Sequence, residues 1–181
     1  MKLWLVRHAQ PLITKGDCYG VSDIPADAAH TAACAAQLAA ALPPGLTVHS
    51  SPLQRCAQLA QALCTLRPDL RLRQDARLRE MDFGRWEGVR WDDIPRTAYD
   101  AWTANFATER FGGQESVNEL LLRVAAARAD VQAAGQDAVW VTHAGVLRAM
   151  TVLNQGLTRF ERADQWPKSV AAWGEWQALT L

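Results

Sequence analysis

Two histidines occupy nearly the same setting in this sequence: "LVRHA" carries Arg7 and His8, and "WVTHAG" carries His143, each at the end of an apolar run. A buried strand has no packing use for a guanidinium and an imidazole at its end. A third block, "SSPLQRCAQLA", puts Arg55 just inside the start of a helix. Arginine forks match phosphate oxygens two bonds at a time, so Arg7, Arg55 and a helix N-terminus make a phosphoryl group the natural occupant. A neutral imidazole can attack phosphorus while the guanidinium groups stabilise charge on the equatorial oxygens. The leaving alkoxide then needs a proton, and "RLREMDFGRWEG" (77–88) offers Glu80, Asp82 and Glu87. Pattern alone does not choose among these three acids. Each residue also has a plainer reading: a hydrogen-bonded strand-end histidine, a solvated helix arginine, an ordinary helix cap. The repeated strand–histidine–small-residue context favours a site, and His30 and His49 lack that context. No P-loop, GxGxxG or acidic cluster for Mg²⁺ is present, so direct attack by a side chain is the economical chemistry.

The elements that must carry these residues can be read from periodicity. Residues 3–7 and 138–142 are apolar on both faces, and "LTVHS" (46–50) reads as a short strand, with "LRLRQ" (70–74) as another. Helices are expected over 27–42, over 51–64 with Ser51 as N-cap and Pro52 at N1, over 115–135 ending on Gly135, and after His143. "SVAAWGEWQALTL" (169–181) reads as two strands joined at Gly174–Glu175, and the 75–114 stretch as a loop-like, cap-like segment with short helical pieces around 91–106. Alternation of strand and helix, with strands buried on both faces, indicates an α/β fold with a mostly parallel sheet, whose ligands sit beyond the carboxyl ends of the strands. The strands ending at Arg7–His8, Ser50–Ser51 and His143 would then face one crevice.

Bulk properties bound the partners. At 181 residues the chain is expected to be one domain, 1–181. Lys plus Arg and Asp plus Glu both number 19, which gives none of the basic excess of a nucleic-acid binder. No apolar stretch approaches the ~20 residues of a membrane span, and the first residues lack a signal-peptide pattern, so a cytoplasmic protein acting on a small molecule is expected. Oligomeric state is not encoded in any pattern we identify. The four cysteines lack metal spacing and are read as reduced structural thiols. Trp86, Trp91 and Trp102, with Phe83, Tyr99 and Phe106, fall in the 75–114 segment. A flat aromatic base could stack there, although we favour a small core belonging to the segment itself. Trp4 and Trp140 lie within strands and are assigned to packing.

"LVRHA", "SSPLQRCAQLA", "LREMDFGRWEG" and "VTHAGVLR" occur in the order and at the spacing of the four signature blocks of the histidine phosphatase superfamily, the phosphoglycerate-mutase-like proteins. The chain resembles that family over residues 1–153. The resemblance implies a three-layer α/β/α sandwich and a phosphoric monoester hydrolase of the histidine acid phosphatase type, with a phosphohistidine intermediate and no metal or other cofactor. It implies His8 as nucleophile, Arg7, Arg55 and His143 as the phosphate pocket with Ala144 beside it, and Glu80 as general acid. Thr14 stands where the family's phosphate-contacting Asn is expected, Ala9 where Gly is usual, and Leu59 where Thr is frequent. The forms "DFGRWEG", "AWTANF" and "GGQESVNELLLRV" are most similar to bacterial α-ribazole phosphatases of cobalamin assembly, which remove a 5′-phosphate from a benzimidazole riboside. Broad sugar-phosphate phosphatases and phosphoglycerate-type mutases of the family are the alternatives, and a phospho-ligand binder without turnover is a further one.

Overall fold

Within the chain, strands β1 (Lys2–Arg7), β2 (Thr47–Ser50), β3 (Arg71–Gln74), β4 (Ala138–Thr142) and β5 (Trp176–Thr180) form one sheet in the order β3-β2-β4-β1-β5. The structure is a computed structural model covering residues 1–181. The first four strands are parallel, and β5 runs antiparallel along the outer edge of β1. The expected mostly parallel α/β fold is therefore present.

Side chains alternate across the sheet because the strand repeat is two. Leu3, Leu5 and Trp140 point to one face, where Leu120, Val124 and Met150 of helices α4 (Val117–Ala134) and α5 (Ala144–Asn154) cover them. Trp4, Val6, Val139 and Val141 point to the other face. There they meet Leu38 of α1 (Ala28–Ala41) and Leu59 and Leu63 of α2 (Gln54–Leu66). Central strands buried on both sides explain the unbroken apolar runs in the sequence. Helix ends follow local chemistry: Asp27 accepts the His30 N–H to start α1, a Ser116–Glu119 capping box starts α4, and Gly135, at φ 63°, ends it.

Two expectations change. The C-terminal stretch gives one strand, not two, since residues 169–173 are irregular and only Trp176–Thr180 pairs with β1. Nor is Ser51 the N-cap of α2. The helix begins at Gln54 behind Leu53, and the Asp23 carboxylate accepts the Gln54 N–H at 2.7 Å. The Ser51 hydroxyl is instead committed to His143.

The 75–114 segment contains single turns at Ala76–Leu78, Gly84–Trp86 and Trp91–Asp93, then helix α3 (Arg96–Ala104). Its aromatics pack on Phe111: Trp91 and Trp102 stack on that ring, and Trp86 and Tyr99 tilt against it. The segment thus has its own small core with Cys18 and Ile94, while Leu78, Met81, Phe106 and Ala107 join the main one and Phe83 and Trp102 pack against both. No helix is long and apolar enough to cross a membrane.

Candidate active site

Strand register assembles the site. Arg7 pairs with Thr142 across β1 and β4, and Ser50 pairs with Val141 across β2 and β4. The ladder continues one residue further, through His8 N–H to Thr142 O (2.9 Å) and Ser51 N–H to Val141 O (3.0 Å). His8, Ser51 and His143 therefore leave the sheet abreast, and the two imidazole centroids lie 5.1 Å apart.

Both rings are buried. His8 Nδ1 lies 2.7 Å from Ala9 O, and since a carbonyl only accepts, Nδ1 carries the hydrogen and Nε2 keeps its lone pair. Burial first, then the Arg55 and Arg7 charges, push the His8 pKa down to about 3, so the ring is neutral near pH 7. His143 Nε2 is 2.8 Å from Ser51 Oγ and 3.3 Å from Cys56 Sγ. Ser51 Oγ already accepts the Leu53 N–H, which suits its hydroxyl to donate to Nε2 and leaves Nδ1–H of His143 as a donor. Burial, His8 and the surrounding arginines hold His143 neutral as well.

The two arginines are held by backbone carbonyls. Arg55 is fully buried, donating to Ser22 O (2.7 Å) and Gly20 O (2.5 Å). Arg7 donates to Ala171 O at 3.0 Å. Neither has a carboxylate within ion-pairing distance, and the Nε–H of each is buried without a protein acceptor. Carbonyls orient a guanidinium without neutralising it, so a net positive field remains at the strand ends. An anion there satisfies donors that otherwise cost about 1–3 kcal/mol each to bury unpaired.

Glu80 reaches the same place from the other side. Both its oxygens accept the Gly145 N–H at 3.1 Å, in the first turn of α5. A side chain at Gly145 would collide with that carboxylate, so the glycine is what admits Glu80. Ala144, half-buried at the first position of α5, has a free N–H facing outward from the helix end. Here, rather than at α2, the helix N-terminus that adjoins the histidines keeps an uncommitted N–H, because Glu80 takes only the Gly145 N–H of α5 while Asp23 already caps α2.

Of the three candidate acids, only Glu80 is beside the histidine strand ends. Glu87 accepts the N–H groups of Gly20, Val21, Ser22 and Phe83 and the Ser22 hydroxyl. Asp82 accepts the Gly84 N–H. Thr14 stands apart: it is exposed, its carbonyl closes a turn onto the Asp17 N–H, and no hydrogen bond links it to the cluster. His30 accepts the Gln10 N–H, and His49 lines a separate hollow with Arg71, Arg73 and Arg77 near the sheet's β3 edge.

Sequence reasoning missed several contributors. Tyr19 lies under the Arg55 guanidinium, 5.3 Å from ring centroid to Cζ, and close enough to Arg7 and Glu80 to feel their charges. Arg123 of α4 donates to the carbonyls of Arg77, Arg79 and Glu80 while pairing with Glu115, so it fixes the backbone that presents Glu80. Arg148 of α5 donates to Pro167 O and lies within electrostatic range of Glu80 and Arg7. Tyr19 and Arg148 offered no pattern to read. Arg123, a cation in the otherwise apolar "LLLRVAAA", was a visible but unspecific signal.

The chain belongs to the histidine phosphatase superfamily, branch 1: residues 3–172 match the family model. Among solved structures it is similar to the protein TTHB049 from Thermus thermophilus, at 29% identity and a TM-score of 0.73, covering 99% of this chain and 93% of that one. It is also similar to a mycobacterial glucosyl-3-phosphoglycerate phosphatase, at 26% identity and a TM-score of 0.74, covering 86% of this chain and 80% of that one. A structure of that enzyme with VO3, at 24% identity, has a TM-score of 0.83 and covers 99% of this chain and 90% of that one, which supports the shared fold. No curated protein matches the sequence.

Proposed function

We propose that this chain is a metal-independent phosphomonoesterase that works through a phosphohistidine on His8. One observation carries the reading: a buried, neutral imidazole with Nδ1–H tied to Ala9 O lies in the field of two guanidinium groups that no carboxylate pairs with. Arg7, Arg55, His143 Nδ1–H and the Ala144 N–H hold the equatorial oxygens. His8 Nε2 attacks phosphorus, and the P–N bond forms as the bond to the ester oxygen breaks. The departing alkoxide takes the proton of the Glu80 carboxyl. A water then attacks the phosphohistidine, giving a proton back to Glu80 as the N–P bond breaks, and inorganic phosphate leaves with His8 neutral again.

The substrate we propose is the 5′-phosphate of α-ribazole or a related small phosphate ester, on the strength of the "DFGRWEG" and "GGQESVNELLLRV" blocks. A sugar-linked phosphate ester is the second reading, favoured by the 26% identity to a glucosyl-3-phosphoglycerate phosphatase. Burst quenching with ³²P-labelled ester in the presence of EDTA is expected to leave acid-labile, base-stable label on wild type and none on His8→Ala. Equal labelling of both, or loss of labelling on adding EDTA, overturns the mechanism. Phosphate bound without turnover makes the chain a binder, and an isomerised ester without phosphate release makes it a mutase. Relative kcat/KM for α-ribazole 5′-phosphate and for glucosyl-3-phosphoglycerate decides between the substrates.

A further inference from the structure

Residues 167–175 lie across the strand ends, tied there by the site's own groups. Arg148 donates to Pro167 O, and Arg7 donates to Ala171 O. The Gly174 N–H reaches the carbonyls of both Arg7 and His8, and the Arg7 N–H reaches Glu175 O. Within this stretch, residues 172–175 make a tight turn closed by Glu175 N–H to Ala172 O at 3.1 Å, and the Glu175 carboxylate accepts the Ala172 N–H at 2.9 Å. Gly174 takes φ 78° at the third position, where a side chain would be strained and would also strike Cys34. Trp173 is the corner residue of that turn, so its direction is fixed by a structure anchored to the Arg7–His8 dipeptide.

Trp173 is 38% exposed, one of only a few large apolar side chains open to solvent. The Arg7 guanidinium carbon lies 5.5 Å from the indole centroid, so the ring backs the arginine while part of it remains open to solvent. Tyr19, backing Arg55, borders both arginines and Trp173. The mouth thus has an aromatic lip beside its phosphate-binding cations. By contrast, the tryptophans of the 75–114 segment are spent on their own core around Phe111.

Resting on the phosphomonoesterase reading above, we propose that Trp173 is the platform on which a flat aromatic ring of the leaving group stacks, one sugar away from the phosphate. The substrate class is then a base-bearing sugar phosphate rather than a bare sugar phosphate. Stacking of this kind is sequence-tolerant, involves no proton transfer, and should appear as tighter binding with little effect on chemistry.

Steady-state kinetics on α-ribazole 5′-phosphate and ribose 5-phosphate, which differ by the base alone, test the proposal. Wild type should favour the base-bearing ester roughly tenfold or more in kcat/KM. Trp173→Ala should erase that preference through KM of the base-bearing ester, and Trp173→Phe should keep most of it. A wild-type ratio near one, a ratio unchanged in Trp173→Ala, or an equal rise in KM for both esters overturns it. The last outcome would make the indole a support for Arg7 only. Phosphohistidine trapping with p-nitrophenyl phosphate reports on the reaction class separately, so a lost base preference with trapping intact removes this inference alone.

Discussion

Glu80 and Glu87 are seven positions apart in one short block, are both carboxylates, and do different work because of what surrounds them. Glu87 accepts five donors and has no capacity left for a substrate proton. Glu80 accepts only the Gly145 and Met81 N–H groups and faces Arg7 and Arg148. We therefore expect Glu80→Gln to lower kcat on alkyl phosphates by about 10²–10³-fold, within the usual span for general acid catalysis. On p-nitrophenyl phosphate, whose leaving group needs little protonation, the loss should be under about tenfold. Equal losses on both esters would move the acid role to another residue. His8, Arg7 and His143 were legible as candidates because each follows or ends an apolar run that packing already explains, and Arg55 because it stands at the start of a helix beside them. Pattern alone left Glu80 as one of three acids and only the family resemblance singled it out, since its placement depends on Gly145, which is distant in sequence and contacts it in the fold.

At the scale of elements, the 20–22 loop joins the 75–114 segment to the proposed phosphate pocket. Glu87 takes the N–H groups of Gly20 and Ser22, and the carbonyls of those two residues hold Arg55. Glu87→Ala should free the loop and let Arg55 swing. The expected result is a rise of roughly tenfold in the inhibition constant for inorganic phosphate, from a lost charge-assisted contact of about 1.5–3 kcal/mol that is partly recovered by water. The measurement is competitive inhibition at fixed pH, with kcat changing less than KM; an unchanged inhibition constant would separate the loop from the pocket. None of this was visible beforehand, because the partners come from three separate stretches of chain. The same reason explains the misplaced start of α2: Ser51–Pro52 has the composition of a cap, but Ser51 is drawn to His143 and a distant Asp23 caps the helix. The second C-terminal strand also failed, since an apolar run cannot reveal that Arg7 and His8 would tie it into a turn.

For the whole molecule, the sheet and its two helical layers were readable because buried parallel strands write unbroken apolar runs and helices write a 3.6-residue stripe. Burying two histidines at the strand ends of that frame has a stability cost that depends on acidity. His8 and His143 are neutral in the folded chain, with His8 lowered to about 3 and His143 well below its ordinary value, whereas unfolded histidines take a proton near pH ~6.5. As pH falls below that value the unfolded chain binds protons that the folded chain refuses, so stability drops from about pH 6.5 towards 3. Each such imidazole contributes a slope of at most about 1.4 kcal/mol per pH unit. Urea unfolding between pH 7.5 and 4.5 should therefore show a steeper loss for wild type than for His8→Asn. Parallel curves would mean that the His8 ring is already charged in the fold.

The peptide group joining Gly20 to Val21 points its N–H at Glu87 and its carbonyl at Arg55. It acts as an aligned dipole between an anion and a cation, so the two charges communicate without touching. Thermodynamic reciprocity follows. Whatever free energy an ordered Arg55 lends to a bound phosphate, the bound phosphate returns to the docking of Glu87 and of the aromatic segment behind it. An occupied pocket is in this sense part of the adhesive that holds the segment on the sheet.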